Sequence, residues 1–379
     1  MATSLENNNF IKERQSGIEL LKVVAIVLIV LSHVIKTLID GNGEWAINVG
    51  GTISSPVIFI IALLKYSGVL GNAMFFVSSA WFLLDKEKTN YQKIMRMVLD
   101  IFIISIIWFV PMFIWKRNEI GLKDIVRSFV PTIGQSNWYL TSYILFCFVY
   151  PILNPFIDKL SQKKHLIASI ILFFAYFVLS FAVTFPWSGV LTFWATIYFV
   201  VAYFKKYGSD FCASKKKNVV FLAVAIVLHI SLLLLSNYIY SKIGKAGTMK
   251  WDVVNNPFVF IIAFTSFNLM KNTKFSSRII NFLSGLSMLV YIIHENLHFR
   301  TFVRPLIWEW IYNSFGYNYI LLWVFIYTAT LFVASVFVAL LYRFILEKWV
   351  HKLADKLLKI LKAIADSFCK KVIKEDSDN

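Results

Sequence analysis

Charged residues are scarce in this chain. Asp, Glu, Lys and Arg make up 16% of its 379 residues, whereas a typical soluble domain has about 25%. Apolar residues of the AVILMFWYC set make up 58%, and the mean hydropathy is +0.68. This balance excludes an ordinary soluble protein. Because the apolar runs recur almost from end to end, it predicts a single membrane domain.

Cysteine is scarce as well, and the chain contains only Cys147, Cys212 and Cys369. Three scattered cysteines are too few for a disulfide framework. Two of them lie in or beside apolar runs, so we interpret them as packing residues or chance occurrences. Acidic residues are outnumbered by basic ones, 21 to 38, which gives a formal net charge of +17. The basic residues lie beside apolar segments and in the C-terminal tail. This location indicates a membrane surface, and we expect no nucleic-acid partner.

Long apolar runs occur along the whole chain, and ten of them approach the roughly 17–25 residues that a transmembrane helix needs. They are 17–38, 68–84, 97–115, 137–157, 165–185, 187–204, 218–239, 256–270, 280–298 and 319–345. The segment 53–65 is shorter, and we interpret it as re-entrant or interfacial. No small-residue cleavage site follows 17–38, so we interpret that run as a helix rather than a signal peptide. The expected fold is all-α: an integral membrane bundle of about ten transmembrane helices.

The basic residues set the expected orientation. With the N-terminus inside, most of the Lys and Arg between the spans falls on the inner side, so both termini are predicted to be cytoplasmic. Leu, Ile and Lys alternate at helical spacing from 346 to 374, which predicts an amphipathic basic helix on the inner leaflet. A solvated tail with no membrane role is the alternative. We therefore divide the chain into a ten-helix membrane domain, 1–345, and a cytoplasmic amphipathic tail, 346–379.

Three ionisable residues interrupt the first apolar run: Glu19, Lys22 and His33. Their spacing places all three on one face of a helix. Lys22 would lie near the inner end of the span and His33 roughly 16 Å further along the axis. Ionisable groups inside a membrane are costly unless they are paired or face a cavity, so all three are functional candidates. The structural alternative is that Glu19 and Lys22 reach the interface and that His33 bonds a neighbouring helix.

The string H-E-x-x-H occurs once, from His294 through Glu295 to His298. On a helix, as predicted here, this spacing is the signature of zinc metalloproteases. A zinc site also needs a third protein ligand, and Asp158, the acidic residue considered for that role, is predicted to lie at the opposite side of the membrane. An intramembrane metalloprotease is therefore a minor alternative, and we expect no metal.

The first predicted helix resembles that of a known family. Residues 16–33 (SGIELLKVVAIVLIVLSH) are similar to the opening helix of the membrane acyltransferase 3 family. Glu19 stands where the family usually has Asp, Lys22 where it usually has Arg, and His33 at the position of the family's essential histidine.

Further motifs follow in the family's order and extend the resemblance over nearly the whole chain. They are GNAMFFVSSAWFLL (71–84) with Ser79, YQKIMRM (91–97) with Lys93 and Arg96, NWYLTSYILFCFVYP (137–151) with Trp138, SMLVYIIH (287–294) with Tyr291 and His294, and YRFILEKW (342–349). The resemblance implies a fold of ten helices, and it accounts for His294 without zinc.

The resemblance also implies an activity. Members of the family move acyl groups, most often acetyl, from cytoplasmic coenzyme A to hydroxyls of extracytoplasmic polysaccharides or lipid-linked sugars. The chain would then be an O-acetyltransferase of a bacterial plasma membrane, with acetyl-CoA as its donor substrate and no permanently bound cofactor. Its expected partners are membrane lipid, the glycan or lipid-linked sugar acceptor, and proteins of glycan assembly. A non-enzymatic transporter or flippase of lipid-linked sugar, which would share the hydropathy, is the main alternative.

The same resemblance assigns roles to particular residues. His33 and His294 are the candidate catalytic residues, with neutral His33 as the base that takes a proton from a sugar hydroxyl. The candidates for binding the donor or substrate are Glu19, Lys22, Ser79, Arg96, Trp138 and Tyr291. Lys22 can bind a coenzyme A phosphate as a point charge. Which of Ser79, Trp138 and Tyr291 would stabilise the oxyanion stays open, as does the choice between direct transfer and a covalent acyl-histidine or acyl-serine intermediate.

Overall fold

The computed structural model describes residues 16–47, 56–134, 137–178, 190–242 and 256–377. Across these ranges the regular secondary structure is helical, and they contain no strand. The expected all-α class is thereby confirmed.

The helices follow one another with short connections. In chain order they are α1 (Ser16–Asp40), α2 (Pro56–Lys65), α3 (Ser67–Leu83), α4 (Tyr91–Trp115), α5 (Leu122–Phe129), α6 (Trp138–Asp158), α7 (Gln162–Phe173), α8 (Val190–Tyr207), α9 (Ser209–Ala213), α10 (Lys215–Lys242), α11 (Pro257–Lys271), α12 (Arg278–His294), α13 (Arg304–Phe315), α14 (Ile320–Tyr342) and α15 (Lys348–Ser377). Within the described ranges, three π-helical segments adjoin them: Phe174–Val178, Phe299–Val303 and Arg343–Glu347.

Several of these helices are long and apolar enough to cross a membrane. Among the described residues there are six such candidates: Ser16–Asp40, Pro56–Leu83, Tyr91–Trp115, Trp138–Asp158, Lys215–Leu235 and Ile320–Ser367. Two shorter apolar helices accompany them, Pro257–Lys271 and Arg278–His294. These spans are typical of a multi-pass helical membrane protein. The count of ten and the cytoplasmic termini stay predictions. Parts of the expected spans 165–185 and 187–204 lie outside the described residues.

Helix α1 lies at the centre of the bundle and packs against α3, α11, α12 and α14. Its Ala25 and Ile29 are buried, and α3 approaches them closely because it has Gly71 at the contact. A Cβ added to Gly71 would lie 2.5 Å from the carbonyl oxygen of Ala25, so only glycine fits there. Small residues of this kind allow transmembrane helices to pack backbone to backbone. Two of the ionisable side chains of α1 face protein: Glu19 is 6% exposed and the His33 side chain is 14% exposed.

The C-terminal segment forms helix α15 and packs against α4. The guanidinium of Arg96 makes two hydrogen bonds to the carboxylate of Asp355, Nε to Oδ1 at 3.0 Å and Nη2 to Oδ2 at 2.7 Å. Asp100 adds a second link, because it lies 3.1 Å from Nε2 of His351 and accepts a hydrogen bond from Tyr342 at 2.7 Å. These contacts anchor the start of the tail helix to the bundle. Its place on the inner leaflet, and the division at 345, stay predictions.

Candidate active site

Two predicted catalytic residues meet where α1 passes the end of α12. Nδ1 of His33 lies 3.0 Å from Nε2 of His294 and 3.0 Å from Oε2 of Glu295. His294 is completely buried, and the side chains of His33 and Glu295 are 14% and 10% exposed. The sequence paired His33 with His294 only by resemblance, and the structure places them in direct contact. We call these three residues the His33 cluster.

Helix α12 ends at His294, and the backbone N–H of Glu295 closes it by donating to the carbonyl of Tyr291 at 3.1 Å. The next residue, Asn296, then turns the chain, and its side-chain oxygen accepts a hydrogen bond from the N–H of His298 at 3.0 Å. The expectation that one helix carries the whole H-E-x-x-H string is therefore wrong. An Asn side chain that bonds its neighbouring backbone competes with the helix at this position.

His298 consequently lies elsewhere. Its Nε2 is 2.6 Å from the hydroxyl oxygen of Ser128 on α5, and its ring stacks on Phe302 with a centroid separation of 6.2 Å. Histidines four residues apart face the same way only on a continuous helix. The string therefore does not form the zinc pair that its letters indicate.

The hydrogen bonds assign the tautomers of the two histidines. Nδ1 of His294 lies 2.6 Å from the carbonyl oxygen of Val290, which can only accept, so this nitrogen carries a proton. A neutral His294 then has its lone pair on Nε2, facing His33. Nδ1 of His33 must be the donor in that contact. Neutral His33 is left with a lone pair on Nε2, which is the form that a general base requires.

Two arginines hold the carboxylate of Glu295. Nη2 of Arg304 donates to Oε2 at 2.9 Å, and Nη1 of Arg300 donates to Oε1 at 2.9 Å. The side chain of Arg304 is only 3% exposed, and it also donates to the main-chain carbonyls of His294 at 2.5 Å and His33 at 3.2 Å. Paired guanidinium groups favour the ionised carboxylate. Arg304 thus ties α1, the end of α12 and Glu295 together.

The donor atoms of the His33 cluster lie within 4.8 Å of one another, which is close enough to hold a metal ion. The charges argue against that use. Oε2 of Glu295 already accepts from Arg304 at 2.9 Å, so a divalent cation there would lie beside a buried guanidinium. We therefore place a proton, rather than a metal, between His33 and its two acceptors.

A cavity of about 270 Å³ runs beside α1 towards this cluster. Lys22 and Lys93 line it, and so does Ile29, one helical turn before His33. Tyr291 lines it as well, and its ring centroid lies 6.4 Å from that of His33. Two lysines and the aromatic ring next to the candidate base therefore line one cavity.

Two hydroxyl groups in the wall of this cavity are buried without a hydrogen-bond partner in the described part of the chain, those of Ser287 and Tyr291. Leaving a buried hydroxyl unpaired costs about 1–3 kcal/mol. Water or a ligand in the cavity would complete their hydrogen bonds.

The structure brings several predicted binding residues to this cavity. Ser79, Lys22 and Tyr291 all line it. Glu19 lies next to it and forms an ion pair with Lys22, with Nζ 3.4 Å from Oε1. Glu19 also accepts a short hydrogen bond from Ser284, another lining residue. The polar stripe predicted on the first helix is therefore an assembled part of the cavity wall at its Lys22 end.

Arg96 and Trp138 are not brought to the cavity. Arg96 is occupied by Asp355, and Trp138 stands at the first residue of α6 with its ring 5.9 Å from that of Tyr139. Their binding roles stay predictions. Lys93, three residues before Arg96, faces the cavity instead, and its ammonium lies 6.0 Å from the ring centre of Tyr143.

Sequence reasoning did not place Lys93, Arg304 or Glu295 at the site. Lys93 was within the motif 91–97, but the choice between it and Arg96 depends on how α4 is rotated in the bundle. Glu295 was considered only as part of a zinc motif. Its position directly after His294 was the available signal. For Arg304 there was none, because it lies at the junction of the π-helical segment Phe299–Val303 and α13, in no motif of the sequence.

Comparison with known protein families shows that residues 15–339 match an acyltransferase domain. The matched segment begins one residue before α1 and ends near the end of α14, so it includes the His33 cluster and the cavity. No curated protein and no solved structure was found to be similar. The match covers most of the chain, and the protein therefore belongs to the membrane acyltransferase 3 family that its motifs resemble, as a membrane acyltransferase.

Proposed function

We propose that the protein transfers an acetyl group from acetyl-CoA to a hydroxyl of an extracytoplasmic polysaccharide or lipid-linked sugar. The observation that carries this proposal is the cavity that leads from Lys22 and Lys93 to Tyr291, beside a histidine whose Nε2 is left unprotonated. A cation pair suits the phosphates of coenzyme A. A neutral imidazole suits the removal of a proton from a hydroxyl.

The donor would enter from the lysine end, which is the cytoplasmic end in the predicted orientation. Lys22 and Lys93 would hold its phosphates, and the pantetheine arm would follow α1 past Ile29. Met97 and Met288 line this stretch, and methionine adapts to slender apolar ligands. The thioester would then reach the end of the cavity at Tyr291. Acetyl-CoA is a substrate in this scheme, and no permanently bound cofactor takes part.

The transfer step uses His33 as acid and base in turn. Nε2 of His33 takes the proton from the acceptor hydroxyl while that oxygen bonds to the thioester carbonyl carbon. The carbon–sulfur bond then breaks, and the coenzyme A thiolate leaves with the proton returned by Nε2. The unpartnered hydroxyls of Tyr291 and Ser287 are suited to donate to the oxyanion, with Ser79 nearby in the same wall. His294 holds the His33 ring by accepting from Nδ1.

The proposal includes a bacterial plasma membrane as the location. It also includes a glycan or lipid-linked sugar as the acceptor, and glycan-assembly proteins as neighbours that supply it. Membrane lipid surrounds the exposed apolar faces of the spans, such as those with Phe337 and Val333 on α14, which are 61% and 64% exposed. A non-enzymatic transporter or flippase, by contrast, predicts no coenzyme A binding and no effect from the loss of His33.

The test measures the content of ester-linked acetate on the surface glycans of a strain that lacks the gene. We expect the acetate to be lost and to return when the wild-type gene is supplied, but not when His33→Ala is supplied at equal abundance. His229→Ala is a matched control, because His229 is also a histidine in a candidate span, but its partner is Asn256 at 2.9 Å. Restoration of the acetate by His33→Ala would contradict the proposal, and so would an unchanged acetate content in the deletion strain.

A further inference from the structure

We infer that Glu295 is a positioning residue for His33: it fixes the base in its reactive tautomer and stabilises the imidazolium that forms when His33 takes up a proton. This inference rests on the proposed function, in which His33 is the base. The carboxylate and the imidazole are in direct contact, with Oε2 3.0 Å from Nδ1.

The contact forces one orientation of the imidazole. Nδ1 of His33 faces two acceptors, Oε2 of Glu295 and Nε2 of His294, both at 3.0 Å. With two acceptors on this side, the ring keeps its proton on Nδ1 and its lone pair on Nε2. The carboxylate is the stronger of the two acceptors because it is charged.

The contact with Glu295 also offsets the positive charge that forms on His33. When Nε2 takes the hydroxyl proton, a positive charge appears on His33 at 3.0 Å from a carboxylate that is only 10% exposed. Coulomb attraction at this distance is much stronger in a poorly solvated site than in water. Neutral His294 accepts the same proton but supplies no charge. Glu295 is therefore the group within contact distance that can offset the imidazolium.

The arginines keep the carboxylate in place. Arg304 and Arg300 each donate to a different oxygen of Glu295 at 2.9 Å, which prevents rotation of the carboxylate away from His33. They also reduce its effect, because two guanidinium groups oppose a positive charge on the imidazole. Arg304 is buried, whereas the Arg300 side chain is 32% exposed. Removing Arg300 should therefore remove charge with little loss of packing.

The first experiment replaces Glu295 with Gln in the full-length protein in detergent, with acyl transfer followed by release of the coenzyme A thiol. Glu295→Gln keeps the side-chain shape and loses the charge. We expect kcat to fall about 100-fold, within the range for general-base catalysis, while the donor KM stays within about two-fold because the phosphate end is untouched. Glu347→Gln is the matched control: Glu347 pairs with Arg343 at 3.1 Å, outside the cluster, and should leave kcat unchanged.

The pH profile separates a positioning role from a structural one. The groups that face His33 are Glu295 and His294, the ring of Tyr291, and Arg304 through the His33 carbonyl. Glu295→Gln removes the negative charge opposite the imidazolium, so the acid limb of kcat/KM should move to lower pH in this variant. In Arg300→Gln a positive charge is lost, and the same limb should move to higher pH. If Glu295 and Arg300 were merely structural, the two substitutions would not shift the acid limb in opposite directions.

Arg300→Gln keeps the inference testable if Glu295→Gln does not fold, and Glu295→Asp should restore part of kcat. If the wild-type enzyme transfers acetyl but the acid limb of kcat/KM moves in neither variant, the role of Glu295 is overturned and the proposed function stands. Failure of the wild-type protein to transfer acetyl would overturn the proposed function itself. If the wild-type protein binds one zinc per chain and Glu295→Gln does not, a metal rather than a proton lies at Nδ1 of His33. That result would also overturn the inference.

Discussion

His294 and His298 are four residues apart and are both buried, yet they lie in very different surroundings. His294 contacts His33 at 3.0 Å, in a cluster that contains a carboxylate and two guanidinium groups. His298 bonds a hydroxyl, that of Ser128 at 2.6 Å, and otherwise contacts aromatic rings. The boundary between the two regions is the end of α12 at His294.

The difference shows that residue spacing has chemical meaning only on the backbone that carries it. The turn at Asn296 sends one histidine towards α1 and the other towards α5. His298 is buried, and its Nε2 lies 2.6 Å from the hydroxyl oxygen of Ser128 on α5. It holds α5 against the segment after α12. His294 instead contacts His33, the proposed base. The predictions below test this division, beginning with the His33 cluster and ending at His298.

The largest effect is expected for His33→Ala. Loss of the base should reduce kcat by about 100-fold to 10,000-fold, to a few per cent of wild type or less, in an assay of coenzyme A thiol release. Expression and membrane insertion should stay near wild type, because one imidazole contributes only about 1 kcal/mol to a helical membrane bundle. Activity well above a few per cent in a folded variant would make His33 structural and would reject the mechanism.

His294→Ala should be the next most damaging. The variant removes the acceptor that faces Nδ1 of His33 and leaves a gap beside the ring, so the base loses one of its two hydrogen-bond partners. We expect kcat to fall about 10-fold to 100-fold, by analogy with the loss of a group that orients a catalytic residue. Single-turnover rates with saturating acetyl-CoA would measure this step directly. An unchanged rate would remove His294 from the catalytic machinery.

Lys22→Met should act on donor binding instead of on the chemical step. Lys22 lies at the end of the cavity away from Tyr291, and we propose that it binds phosphate only, so the donor KM should rise about 10-fold with kcat nearly unchanged. Lys22→Arg should be tolerated, because the guanidinium keeps the charge. Lys93→Met should behave like Lys22→Met, because both lysines line the same cavity. A collapsed kcat with an unchanged KM would place Lys22 at the reaction centre.

Much of this arrangement was predictable from the sequence. The long apolar runs predicted helical spans, and the stripe of Glu19, Lys22 and His33 correctly indicated that one face of α1 meets a polar site. Both predictions depend on local periodicity and on the high cost of charge in lipid. The resemblance added His294 and Tyr291, and the structure places both beside His33.

The remainder depends on tertiary packing and was not predictable. Rotation of α4 decides that Lys93, and not Arg96, faces the cavity, and Arg96 is instead taken up by Asp355, about 260 residues later. The end of α12 at His294 depends on a local competition between the helix and the Asn296 side chain. Glu295 and Arg304 meet only because the segment after α12 folds back over α1.

The smallest effect on activity is expected for His298→Ala, and it is the closest control for His294→Ala. The substitution leaves the Ser128 hydroxyl without its histidine partner, which should cost about 1–3 kcal/mol of stability and lower the Tm. The hydroxyl retains the Asp124 carbonyl as an acceptor at 2.7 Å, so the cost should lie at the lower end. Activity per folded molecule should stay within about two-fold of wild type, because His298 does not contact the His33 cluster or the cavity wall. Ser128→Ala should lower the Tm by a similar amount. The double variant should be less destabilised than the sum of the single variants, since the two side chains share one hydrogen bond.

The zinc interpretation predicts instead that His294 and His298 are equally essential, because each supplies a ligand. Equal loss of activity in His294→Ala and His298→Ala, together with one zinc per chain in the purified protein, would therefore favour a metal site over the acyl-transfer mechanism.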